Sequence, residues 1–354
     1  MTKVRYNNMD ALRSLMMLLG LVIHAAAYFR DDDLANPFLV FADASGFYWI
    51  LRELIHSFRM DVFYVLSGFL SFMILEKHTT QSFIVDRLIR LGVPLLLVGG
   101  VINYLSFFFI KERFYFPGTD YFSTGRWLVH LWFLANLIIY SLLAPMFYVF
   151  FVKFQLVRIP LRIGMALYGL VGFLFLHAGW RLAGQPTLMG FFVLDELIIY
   201  FPSYLLGGYF WLKRDSFIAN LGCWKVTLLI FLVLLAVWKL LTPVNSYAIY
   251  ALEVARFYWV LTVTLGLLQV FSRELSVEQA LCLKEISNSS YTIYLFHLSV
   301  LLGFAYLLRA AGITNPHVSF VIMCVGSYTL LYLLHQQIKD NRYLMFVING
   351  KRFW

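Results

Sequence analysis

Residues 54–70 read LIHSFRMDVFYVLSGFL, an apolar run of membrane-spanning character that carries His56, Arg59 and Asp61 ahead of Ser67 and Gly68. Bringing an ionised arginine into hydrocarbon costs about 3 kcal/mol on insertion scales, so such a group faces a polar cavity or a partner. This run is expected to form one wall of an intramembrane site, with Arg59 neutralising an anion or orienting a carboxylate and Asp61 orienting an imidazole. The preceding apolar run supplies that imidazole. His24, in LVIHAAAYF, stands 14 residues beyond Asp10, which on a helix is roughly 21 Å deeper. The alanines after it, Ala25 to Ala27, leave room for a ligand.

Other groups could bind anions or carry protons. In FIVDRLIRLGVP, Arg87 and Arg90 fall one helical turn apart just before Pro94, and two guanidinium groups on one face match the oxygens of a phosphate. Anchoring at the cytoplasmic face of a membrane explains such a pair equally well. Asp10 and Arg13 share a helical face and read most simply as an ion pair. His130, in HLWFL, is a candidate contact to a substrate on the outer side, beside Trp127 and Trp132, which suit an interfacial belt. Asp195 and Glu196 are adjacent and point about 100° apart on a helix, leaving one to face the bundle and pair with Arg59 or hold His24. Glu253 and Arg256 at i,i+3 suggest a local salt bridge. Ser287 and Asn288 suggest a helix cap ahead of His297 in ISNSSYTIYLFHLSV.

The elements that must position these residues are membrane helices. Of the 354 residues 61% are hydrophobic and 13% charged, far from the soluble average. A span takes roughly 20 apolar residues, which predicts ten helices near 11–29, 47–75, 91–110, 127–152, 161–180, 190–211, 225–241, 246–271, 289–309 and 317–338. The fold class expected is an all-α polytopic membrane bundle forming a single domain, 1–354, because the polar stretches near 76–90, 111–126 and 272–288 are loop-sized. The first apolar run lacks a small-residue cleavage site and is kept as a span. The net charge of +9 makes no continuous stripe for nucleic acid. Loops on the side of the termini carry seventeen lysines and arginines against seven opposite, which places both termini in the cytoplasm. Cys223, Cys282 and Cys324 are odd in number and lack metal-ligand spacing, so neither a disulfide frame nor a metal site is expected.

In order along the chain, DALR with LLGLVIHAA, then IHSFRMDVFYVLSGF, DRLIRLGVP, HLWFL, FPSYLLGG and NSSYTIYLFHLSV resemble the membrane acyltransferase 3 family. Within it, the IHSFRM stretch is most similar to the glucan C-succinyltransferases of osmoregulated periplasmic glucan synthesis. The resemblance implies a ten-helix enzyme of the bacterial inner membrane that takes an acyl group from cytoplasmic acyl-CoA, here succinyl-CoA, and delivers it to a hydroxyl of a periplasmic glucan or another envelope glycan. It implies that the family's functional histidine falls on His24 and its arginines on Arg87 and Arg90, with the bundle acting without an added esterase-like domain.

The site so assembled has His24, Asp61 and Glu196 as catalytic candidates, and Arg87, Arg90 and Arg13 as candidates for holding the donor. His56, Arg59, His130, Trp132 and His297 are the candidates for contacting substrate, and no metal is expected. Threading only the pantetheine arm into the bundle would leave the donor's phosphates at Arg87 and Arg90 while the thioester nears His24. His24 would act as a base toward the sugar hydroxyl or as a covalent acyl carrier. Arg59 would meet the free carboxylate of a succinyl group. The alternatives are an O-acetyltransferase of another envelope polysaccharide and, in a different class, a transporter or flippase whose permeation path the same buried charges line.

Overall fold

The computed structural model describes residues 4–29, 46–110, 126–182, 194–242, 248–271 and 277–351, which are helical with no strand among them. In hydrocarbon every backbone N–H and C=O must bond within its own segment, and long apolar runs meet that demand as helices. α1 (Val4–Ala26) ends in a 3-10 turn, and α2 (Gly46–Lys77) packs beside it. α3 (Thr80–Pro94), a π-helical stretch (Leu95–Ile102) and α4 (Asn103–Ile110) follow as one run. Next come α5 (Trp132–Lys153), α6 (Leu161–Leu182), α7 (Leu194–Ile199), α8 (Phe201–Leu212) and α9 (Arg214–Ala219). α10 (Trp224–Leu241), α11 (Ile249–Phe271), α12 (Val277–Ala310), α13 (Pro316–Ile338) and α14 (Arg342–Asn349) complete the chain.

Among the described residues nine helices are long and apolar enough to cross a membrane, so the chain is an all-α polytopic membrane protein. The expected tenth span, near 190–211, begins outside the described residues. Its remainder is divided at Tyr200 into α7 and α8, where Pro202 has no N–H to continue the ladder. Two other boundaries move. Arg87 and Arg90 lie within the third span, which starts at Thr80 under a Thr79 cap. Ser287 caps nothing, because α12 begins at Val277; its hydroxyl bonds that of Ser14 at 2.9 Å and ties α12 to α1.

The main buried core lies among α1, α2, α3, α5, α6, α8, α11 and α12, and a second joins α1, α12 and α13. α10 packs on α11 and shows exposed Val226, Leu229, Leu232, Val233 and Leu240, as a lipid-facing helix should. α2 and α8 pack closely together because glycines let their backbones touch, the use of small residues that Ser67-Gly68 suggests. A Cβ on Gly207 would lie 1.8 Å from the Val65 carbonyl oxygen, and one on Gly68 1.9 Å from that of Tyr204. Neither backbone can yield locally. Gly207→Ala is expected to cost about 3 kcal/mol or more by forced separation, read as a lowered thermal midpoint in detergent. Gly303→Ala, where the added carbon meets nothing within 4 Å, should leave the midpoint unchanged or raised.

Candidate functional site

Three histidines from distant parts of the chain converge. Ring centroids lie 5.1 Å apart for His24 and His297, 4.8 Å for His130 and His297, and 6.1 Å for His24 and His130. His24 and His297 meet because α1 and α12 pack along their length. His130 enters by a local fold before α5. The Trp127 ring fits against Gly99, where a Cβ would fall 2.7 Å from it, and Asn103 Nδ2 donates to the Trp127 carbonyl at 3.1 Å. Val129 then turns the chain at φ 44°, a left-handed conformation that a β-branched residue holds only when its surroundings impose it. Trp127 is therefore 3% exposed, buried in the bundle instead of sitting in the interfacial belt expected for it.

The hydrogen bonds fix how two of these rings present themselves. A carbonyl oxygen only accepts. His297 Nδ1 must then carry the proton in its 2.6 Å bond to the Tyr294 carbonyl, and His130 Nε2 the proton in its 3.2 Å bond to the Leu295 carbonyl. In the neutral rings His297 Nε2 and His130 Nδ1 are bare acceptors, and both are buried without a partner among the described residues. Tyr294 also donates its hydroxyl to the His130 carbonyl, joining α12 to the entry of α5.

Arg59 approaches His24 from α2. Gly20 lies one turn before His24, and a Cβ there would fall 2.6 Å from a terminal nitrogen of Arg59, so glycine at this position is what admits the guanidinium. Arg59 is 7% exposed, its Nε has no partner, and it forms no ion pair among the described residues. Its nearest electrostatic neighbours are the phenols of Tyr294, Tyr200 and Tyr64. Tyr200 stacks on Tyr64 at 5.3 Å and on Trp132 at 5.8 Å. A buried cation without a carboxylate is costly unless an anion completes it.

The carboxylates expected to serve the histidine lie elsewhere. Asp61 Oδ1 accepts from Ser203 Oγ at 2.6 Å and Oδ2 from Arg256 at 3.2 Å; Ser203 in turn meets the Tyr168 hydroxyl. Glu196 stands in the field of the same Arg256–Asp61 pair and makes no ion pair with Arg59. This second cluster joins α2, α6, α8 and α11. Arg256 is thus taken by Asp61 across the bundle, and the expected bridge to Glu253 is replaced by Glu253 with His177 Nε2 at 3.0 Å. His56, one turn from Arg59, is exposed; it lies within the electrostatic reach of His24 but makes no ring contact with the three imidazoles among the described residues.

Toward the end of the bundle where α3 and α14 meet lies a cavity of about 530 Å³, whose lining is net positive: Arg13, Arg87, Arg90, Lys339 and Lys351 against Asp10, Glu285 and Asp340. Arg13 pairs with Asp10 at 3.1 Å, as expected, and Arg90 with Asp86 at 3.0 Å. Arg87 lies over the Phe83 ring and makes no ion pair among the described residues. α14 is held here by Gly350, at φ 60°, where a Cβ would fall 2.5 Å from the Arg90 Cα. Met17, Phe63 and Phe133 line this cavity and also a much narrower one, about 10 Å³, that contains Arg59 and Tyr294. Cationic mouth, aromatic constriction, buried arginine and imidazoles thus stand in series.

Sequence reasoning marked His24, Arg59, Arg87, His130 and His297, which the structure places along this line. It missed Tyr294, Gly20 and the constriction. Two of these had a signal: Gly20 precedes His24 by one turn and Tyr294 precedes His297 by three residues, positions that share a helix face.

Residues 6–336 match the profile of an acyltransferase domain, Acyl_transf_3. The chain is 26% identical over 384 aligned positions to glucans biosynthesis protein C of Escherichia coli strain K12, covering 97% of this chain and 94% of that protein. The protein of the same name from E. coli O9:H4 (strain HS) matches to the same extent. No solved structure matches the chain. Lys339 and Lys351, at the mouth, lie beyond the matched residues.

Proposed function

The chain belongs to the Acyl_transf_3 family of acyltransferases, and from that premise we propose that it moves a succinyl group from cytoplasmic succinyl-CoA to a hydroxyl of a periplasmic glucan. It does so within the bacterial inner membrane, with both termini in the cytoplasm. The observation that carries this reading is the series from the 530 Å³ mouth, past Met17, Phe63 and Phe133, to Arg59 and the three imidazoles. A glucan acceptor is supported by the name of the E. coli relatives.

Donor and acceptor lie on opposite sides of a bilayer. Carrying the nucleotide across would bury its phosphates, whereas the pantetheine arm is thin enough to thread a bundle once the two phenylalanines and Met17 rotate aside. Arg87 offers its guanidinium to the phosphates, with Arg90, Arg13 and the two lysines adding positive charge around them. The thioester then reaches the imidazoles, where His24 meets it. Arg59 sits at the level of Gly20, one turn or about 6 Å from His24 along α1. That offset matches the length of a four-carbon dicarboxylate whose chain folds back toward the mouth, setting its carbonyl at the imidazoles and its carboxylate on the guanidinium. In the reaction the acceptor oxygen bonds to the thioester carbonyl carbon, the C–S bond breaks, and the hydroxyl proton passes by way of an imidazole to the departing thiolate.

Arg87→Gln is expected to raise the KM for succinyl-CoA about tenfold with little change in kcat, since it removes binding far from the reacting atoms. Arg90→Gln, whose partner Asp86 already satisfies it, should have a smaller effect. The reading as a whole is tested by coenzyme A release from the purified protein and by mass spectrometry of the glucan. Release that depends on glucan, with the mass of one succinyl added per substituent, supports it. An acetyl increment would reassign the acyl group, and glucan movement without thioester consumption would make the protein a transporter.

A further inference from the structure

The imidazole cluster holds more proton acceptors than a single-base reaction uses. We propose that His297 is a catalytic base of the transfer, its Nε2 receiving the acceptor's hydroxyl proton while His24 faces the thioester; the assignment rests on the acyl-transfer reading above. His297 is fully buried in α12, and its Nδ1–H is committed to the Tyr294 carbonyl. That bond fixes the tautomer and turns a bare Nε2 away from the helix that carries it. An acceptor nitrogen buried without a donor is unfavourable, and Nε2 has none among the described residues. A sugar hydroxyl entering beside His24 supplies that donor.

The surroundings favour His297 over its neighbours for this task. Its ring lies 5.1 Å and 4.8 Å from the other two imidazoles and 5.3 Å from the Tyr294 ring, centroid to centroid, so it stands between α1 and the entry of α5. Tyr294 is already engaged as a donor to the His130 carbonyl. His130 Nδ1 is a second bare acceptor, placed to receive a neighbouring hydroxyl of the same sugar. In the step itself the acceptor O–H breaks toward His297 Nε2 as the oxygen bonds to the carbonyl carbon. The imidazolium then returns that proton to the leaving thiolate, giving ester and free coenzyme A with nothing oxidised or reduced.

The two ends of the imidazole can be removed separately. Asparagine's Nδ2 occupies the place of Nδ1, so His297→Asn keeps the bond to the Tyr294 carbonyl and loses only the base. Turnover is expected to slow by about 100-fold or more, with the KM for succinyl-CoA within about twofold and the thermal midpoint unchanged. Imidazole added to His297→Ala should restore a measurable part of the lost rate. His297→Asn turning over at the wild-type rate would overturn the proposal and leave His297 a structural residue. Should His297→Ala not fold, the asparagine variant alone decides. Wild-type protein that releases no coenzyme A would instead overturn the acyl-transfer reading, a result that the variants do not affect.

Discussion

His24→Ala lowers succinyl transfer by about 10³-fold, the upper end of the 10²–10³ lost with one group that polarises a reacting carbonyl, while the protein still binds succinyl-CoA. The two halves of this result come from the separation of the residues. His24 lies one turn beyond Gly20, within 5.1 Å of His297 and 6.1 Å of His130, whereas Arg87 and Arg90 line the mouth on the far side of Met17, Phe63 and Phe133. Deleting the imidazole leaves the arginines at the mouth untouched. Turnover and donor affinity measured on the same purified variant check it, and unchanged product formation would remove His24 from the chemistry.

Arg59→Gln is expected to lower succinyl transfer by about 100-fold while acetyl transfer from acetyl-CoA changes by less than threefold. A hydrogen bond to a charged group contributes about 1.5–3 kcal/mol, and tenfold corresponds to about 1.4 kcal/mol, so one lost carboxylate contact gives that range. The acetyl group has no carboxylate to lose. Thermal stability separates this from a structural defect: Arg59 has no acidic partner among the described residues and an unsatisfied Nε, so neutralising it removes a buried charge and the midpoint should hold or rise. Equal loss for both acyl donors would show that Arg59 acts on a feature they share, such as the thioester oxygen.

What the sequence conveyed well was anything carried by one helix. Long apolar runs with few charges gave the spans, and the cost of placing His24, Arg59 and His297 among them marked those residues as candidates. The Asp10–Arg13 pair, one turn apart, was legible for the same reason. What crosses between helices was not. Arg256 could satisfy Glu253 three residues away, but Asp61, 195 positions distant, takes it, because α2 and α11 pack together at that level. The same geometry turns Asp61 and Glu196 away from the imidazoles. Trp127 and Trp132 read alike in the sequence, yet Gly99 lets the first sink into the bundle. The span near 190–211 was interrupted because its apolar run contains Pro202, whose effect on the backbone a count of apolar residues does not register. Tyr294 was passed over because tyrosine is common in membrane helices, and only its neighbours distinguish it.

Under the acyl-transfer proposal, a thioester on one side of the bilayer meets an alcohol from the other within this bundle. Protein reconstituted into sealed vesicles with glucan enclosed, given isotopically labelled succinyl-CoA outside only, tests it directly. Labelled ester is expected on the enclosed glucan, one for each coenzyme A released outside, with no coenzyme A in the lumen. Enclosed glucan left unmodified, while ester forms readily when glucan and donor share the outer side, would contradict it.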